Sequence, residues 1–450
     1  TNVVAALTST QVNKLSSTNF NSLSNSQIGA LSTSVIAGLN STLRGGLGQA
    51  QWSAMGTTQI QALTTSQINA LTDTQLSQLT TTQVSALTTD DVAGLSVSQL
   101  TAIGSMQLQA LQSSVVAAMD TTQLQAIGTG NIANLTTAQV QAVSTDKLSS
   151  LTSAQVQNLT STQINALSSS QFQSLNSNGV KSLSTSTLVG LSTAQMAALS
   201  SAEFAALSSV QVQNLGATQV AALGSAVLAA LQTQQVPGIT TAQLSSISST
   251  QLSALSTAAL AQLTSTQAGG LSSSLVSSLS TSQVQALTST VLANFSASQF
   301  GALGTDALAE LTTTQAGGLT STQVTGLSTA RLTSLGSSQL SKVTTAIVAQ
   351  LTTAQVNALT TTQISGLTTA QIVALTSLQA QGLSNSQLQT LSSTQLQSVE
   401  STDLRALSAT QVTALSTSQL SVLTTGAQIA ALEADDFTNM TSTQVQSLTT

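Results

Sequence analysis

The chain has no cysteine, no histidine and no tyrosine, and Pro237 is its single proline. Without cysteine, disulfides cannot brace the fold and the redox compartment cannot be read. Without His or Cys there is no Ser-His-Asp or Cys-His nucleophile system and no zinc ligation of the usual kind. Charge is just as scarce: seven basic and thirteen acidic residues in 450, a net charge of −6, where an ordinary soluble protein has about a quarter of its residues charged. The bases (Lys14, Arg44, Lys147, Lys181, Arg331, Lys342 and Arg405) lie far apart. Nucleic-acid binding needs them clustered to displace counterions, and so does a polybasic membrane patch, so neither partner is expected. No apolar run approaches the roughly 18 residues of a membrane span, so no membrane insertion is expected. No signal peptide and no glycine-rich nucleotide cradle is visible. The expectation is a non-enzyme with no catalytic residue, no cofactor and no metal site.

What fills the chain instead is one eight-residue word. Leu63-Thr-Thr-Ser-Gln-Ile-Asn-Ala70 is followed by Leu71-Thr-Asp-Thr-Gln-Leu-Ser-Gln78 and then by Leu79-Thr-Thr-Thr-Gln-Val-Ser-Ala86. Numbering each word from its leucine, position one is Leu, two is Ser or Thr, five is Gln, six is Val, Ile or Leu, and eight is small. The frame holds without insertion from Leu7 to Leu423, gains one residue near Gly426, and resumes at Leu432, Met440 and Leu448. A loop-bearing enzyme does not keep such a count. Phe20, Trp52, Phe172, Phe204 and Phe300 occupy position six, as does Phe437 in the shifted frame, and Phe295 occupies position one. All are therefore expected to be packing residues. The domain expectation is one continuous solenoid over residues 1–450. Its mid-word start and finish read as a piece of a longer repetitive protein.

Positions one and six have opposite parity, which a strand of period two would place on opposite faces. A β-solenoid that turned within every unit is the alternative. A helix accounts for more of the word. Ser or Thr at position two is a helix N-cap, and Gln three residues later completes a capping box. Positions one and six are then the two members of a hydrophobic staple. Twelve of the thirteen acids lie at positions two to five, and four bases (Lys14, Lys181, Lys342 and Arg405) at seven or eight, the order a helix dipole favours. Lys147 and Arg331, at position five, run against it. A helix this short is unstable alone, so its stability must come from neighbouring units. The fold class expected is all-α, a solenoid of very short capped helices, one per repeat. Pro237, Arg44 at a core position, and alanine at position six (Ala268, Ala316 and Ala380) are expected local defects.

Few groups could carry chemistry. Glu433-Ala-Asp-Asp436 and Asp90-Asp91 read as acids at helix starts, with a weak calcium site or inter-subunit contact as the competing reading of the former. Asp146-Lys147 reads as a solvated pair. The Asn-x-Ser/Thr triplets at Asn40, Asn134, Asn158, Asn294 and Asn439 mostly fall out of the repeat itself. The remaining feature is a dense, uncharged Ser/Thr/Gln surface.

Tandem units such as Leu351-Thr-Thr-Ala-Gln-Val-Asn-Ala358 resemble repeat tracts of large bacterial secreted or cell-surface proteins of adhesin type. The resemblance implies export, an extracellular or cell-surface location and a fibrous role. The functional expectation is a structural fibre, filament core or adhesin stalk that self-associates end to end or laterally. The alternative is a module that binds ice or polysaccharide through its Ser/Thr array.

Overall fold

The computed structural model describes residues 2–423 and 426–448. Among them are 55 α-helices of four to seven residues, one 3-10 helix and no strand. The protein is therefore an all-α solenoid of short helices, and the β-solenoid alternative is not realised. By contacts the chain forms two compact units, Thr1–Leu223 and Gly224–Thr450.

Helices begin where the word places the cap, except Asn176–Ser182, which starts one residue early. In the first unit, the Thr64 N–H donates to Gln67 Oε1 at 2.8 Å, and the Gln67 N–H donates to Thr64 Oγ1 at 3.3 Å. In the second, the Thr352 and Gln355 pair makes the same two bonds at 2.9 and 3.1 Å. Glycine at position two cannot supply a hydroxyl, so at Gly56 and Gly216 only the glutamine half survives, at 2.9 and 2.8 Å. The helices end four to six residues after the cap, and the next leucine turns the chain into extended backbone or closes the last turn. In the consensus unit 351–358, positions one, five and six are buried and two, three, four and seven are exposed.

In both units each helix packs against the third helix along. Ser17–Asn21 meets Ser41–Gly45 in the first, and Ser377–Gln381 meets Ser401–Ala406 in the second. One coil of the solenoid therefore takes three words. Positions one and six line its interior, where Phe20, Trp52, Phe172 and Phe204 in the first unit and Phe295 and Phe300 in the second are buried as expected. Phe437 departs from that pattern and is 39% exposed.

Small residues at position eight allow close stacking of coils. Gly190 sits against Ser161, 29 residues back: a Cβ on Gly190 would lie 2.6 Å from that of Ser161. The expected defects are local. At Pro237 the unit becomes the 3-10 helix Val236–Gly238 in place of an α-helix. Its i→i+3 bonds, Gly238 N–H to Gln235 O and Ile239 N–H to Val236 O, require nothing from the proline nitrogen. Arg44 is buried and donates to Leu39 O at 3.4 Å, and burial lowers its pKa from the ordinary arginine value. At Asn176 the chain adopts φ 56°, and its Oδ1 accepts the Asn178 N–H at 3.0 Å, as asparagine does in the left-handed region. This joins two consecutive helices, Ser169–Ser174 and Asn176–Ser182, without an extended residue between them.

Ala380 lines an apolar cavity of about 20 Å³ together with Ile372, Leu388, Leu396 and Leu404. The Ala380→Val variant should fill part of it and stabilise the second unit by about 1 kcal/mol, seen as a higher melting temperature. A lower one would show that the neighbouring leucines cannot yield to the added methyls.

Candidate functional site: amide latches between coils

Glutamine at position five does more than close a capping box. In the first unit, the Gln139 oxygen accepts the Thr136 N–H at 2.8 Å. Its nitrogen donates to three carbonyls of the coil before: Leu108 at 2.8 Å, Gln109 at 3.3 Å and Leu111 at 2.7 Å. In the second unit, Gln355 Nε2 donates to Thr325 O at 3.0 Å and Leu327 O at 2.9 Å. The separations recur at 31, 30 and 28 residues throughout both units. One buried amide thus satisfies an orphan N–H at the start of its own helix and orphan carbonyls at the end of a helix one coil away.

A second amide reaches the other way. At position seven, Gln141 Nε2 donates to Ala166 O at 2.6 Å and Asn357 Nδ2 to Gly382 O at 2.6 Å, both 25 residues ahead. Asparagine here also accepts: the Ser192 N–H donates to Asn165 Oδ1 at 2.8 Å, while Asn165 Nδ2 donates to Gly190 O at 2.8 Å.

The two bases that defied the dipole order now have a reason. Lys147 Nζ donates to Ala117 O at 2.5 Å, 30 residues back, and Arg331 Nη1 donates to Leu303 O, 28 residues back. Both serve the C-terminal end of a helix in the previous coil, where a cation is favoured. The reading of Asp146-Lys147 as a solvated pair is corrected for the lysine, which is half-buried and occupied as a latch.

Acids at position five show what the slot requires. Asp91 and Asp403 have no N–H to give the carbonyls and are buried. They accept hydroxyls from position three of the coil before, Thr65 at 3.1 Å and Ser377 at 2.8 Å. Burial raises the Asp403 pKa above its ordinary value, the Ser377 hydrogen bond opposes this, and the charge of Glu400 adds to it. Glu203 has the length of glutamine. One of its oxygens accepts the Ser200 N–H at 2.7 Å, and the other, Oε1, is buried without a hydrogen-bond partner.

The acidic groups do not converge. Asp436 is buried and accepts the Glu433 N–H at 2.8 Å, closing half a capping box. Asp435 and Asp90 are exposed. No group of three or more His, Cys, Asp or Glu among the described residues is placed to hold a metal, and no described helix is long and apolar enough to cross a membrane. Asn134, Asn158, Asn294 and Asn439 each donate to the carbonyl four residues back, at 2.7–2.9 Å, and Asn40 caps its helix by accepting the Leu43 N–H at 2.9 Å. The sequence places the phase break near Gly426, which opens the helix Gly426–Ile429; residues 424–425 just before it lie outside the described residues. Beyond it, Gln428 Nε2 donates to Gln397 O and Val399 O at 3.0 Å, now 31 and 29 residues back. The same two positions are latched at a separation one residue longer.

A family model described as the ALTTAQ repeat matches residues 52–89, 116–153 and 346–377. The matches lie in both units, so the chain is a repeat-bearing protein with stretches similar to that repeat. No curated protein matches it.

Three outcomes follow from the latch. Gln355→Glu keeps the capping acceptor and removes the donor. It should cost about 3 kcal/mol, lowering the urea concentration at which helical circular dichroism is first lost, whereas a purely local cap would tolerate glutamate. Glu203→Gln should stabilise the first unit by about 1–3 kcal/mol and raise that concentration. Because the Asp403 pKa is raised on folding, its contribution is full below the ordinary 3.8 and is lost as pH rises through the folded-state value. Melting temperature should therefore fall over that window in the parent protein and fall less in Asp403→Asn.

Proposed function

We propose that the chain is a structural extracellular fibre element, a filament core or adhesin stalk, rather than an enzyme. The observation that carries this reading is the latch repeated at successive coils. The buried position-five amides join one coil to the next, and the exposed positions two to four are filled mainly by Ser, Thr and Ala, as at Thr352, Thr353 and Ala354. Such contacts are uncharged, so cohesion and surface contacts should depend little on ionic strength. The resemblance to adhesin-type repeat tracts supports a location outside the cell, and the complementary apolar and amide-bearing faces of successive coils support self-association.

The second reading is a binding surface for ice or polysaccharide. It is favoured by the exposure of positions two to four in unit after unit, as at Thr352, Thr353 and Ala354. The same triplet weakens it, because alanine interrupts the hydroxyl row.

Light scattering and electron microscopy of the purified chain, at low and at 1 M salt, separate the two. A fibre element gives linear assemblies of uniform width whose extent is unchanged by salt. Stable monomers at every concentration, together with retention on an insoluble polysaccharide or thermal hysteresis, would replace the fibre with the binding surface.

A further inference from the structure

The latches are not evenly distributed, and their spacing sets where the second unit opens. Between residues 351 and 398 six successive words carry glutamine at position five, from Gln355 to Gln395. Each accepts its own cap N–H at 2.8–2.9 Å, and each donates to the coil before, as Gln371 does to Leu340 O and Val343 O at 2.7 Å. Between 255 and 310 every second word lacks the amide. Ala259, Leu275, Val291 and Ala307 stand at position five, alternating with Gln267, Gln283 and Gln299.

The four apolar residues are buried, so they fill the slot but cannot donate to a carbonyl or accept the N–H of Ser256, Ser272, Thr288 or Gly304. Leu275 and Val291 recover some of the loss by burying more apolar surface, and the two alanines recover little. Geometry makes the alternation matter. Three words make a coil, so a gap at every second word moves to a different side of the solenoid each time. Every coil boundary in 255–310 then has at least one of its three words unlatched, and no side keeps a continuous seam. In 351–398 all three sides are latched at each boundary.

We infer that residues 255–310 are a built-in compliant segment, the part of the second unit whose coils separate first under heat or load while 351–398 stays closed. A nearest-neighbour solenoid opens at its weakest interfaces. The segment localises opening within the unit instead of leaving it at random along the chain. The inference rests on hydrogen-bond chemistry within one unit and stands whether or not the protein forms fibres.

Peptide-resolved hydrogen exchange on the full chain tests it. Backbone amides of the helices in 255–310 should exchange at least tenfold faster than those in 351–398. In a variant carrying Ala259→Gln, Leu275→Gln, Val291→Gln and Ala307→Gln the difference should fall to within about threefold. Should that variant fail to fold, the reciprocal one, Gln363→Ala with Gln379→Ala, should raise exchange in 351–398 about tenfold and leave 255–310 unchanged. Equal protection of the two segments in the parent chain, or reciprocal substitutions that leave 351–398 as protected as before, would overturn the inference.

Discussion

A helix of five residues is almost all ends. Its first four N–H groups and last four carbonyls lack partners within the helix, so nearly every backbone group must be satisfied from outside. Water can do this at a surface, but here the helix ends face the next coil. The protein meets the constraint with one side chain that both accepts and donates. The glutamine oxygen closes the start of its own helix, and its nitrogen closes the end of a helix one coil earlier. Local folding and coil stacking therefore form together. A lone unit has nothing to latch onto, and a stack without the amide leaves carbonyls unpaired at each boundary.

This coupling explains the composition. The slot excludes glutamate in all but one unit, Glu203, because a carboxylate accepts at both oxygens. It admits Lys147 and Arg331 because they donate. Charge elsewhere would add nothing, since the stack is held by neutral dipoles and by leucine, valine and isoleucine at positions one and six. Glycine, alanine, serine and asparagine dominate position eight because another coil passes within van der Waals contact of it. The molecule uses a small alphabet because every unit solves the same problem against copies of itself.

Much of the fold was legible beforehand. The octapeptide frame, the cap at position two, the staple of positions one and six, and the burial of Phe20, Trp52 and Phe300 all follow from spacing and residue type. The three-unit coil was not legible, because nothing in a single word states how far along the chain its neighbour lies. The second role of glutamine was hidden for a related reason: a capping box alone already accounts for Gln at position five. The signal that separates the two was present. A capping box accepts Glu as readily as Gln, so the predominance of Gln at position five, with Glu203 the single glutamate there, points to a needed donor, and Lys147 and Arg331 at the same position point the same way. Phe437 holds the same position six as the buried aromatics yet is exposed, a difference that spacing and residue type alone do not carry. Of function, only the repeat character is carried by family similarity, and the fibre reading rests on the physics of the stack.

The most direct measurement of the latch is exchange of the glutamine side-chain amide protons, followed by NMR on protein labelled with nitrogen-15 only at glutamine. Two populations are predicted: position-five amides protected like backbone groups inside a helix, and exposed amides such as those of Gln49 exchanging at the rate of the free amino acid. A single population in which every glutamine side chain exchanges freely would contradict the account.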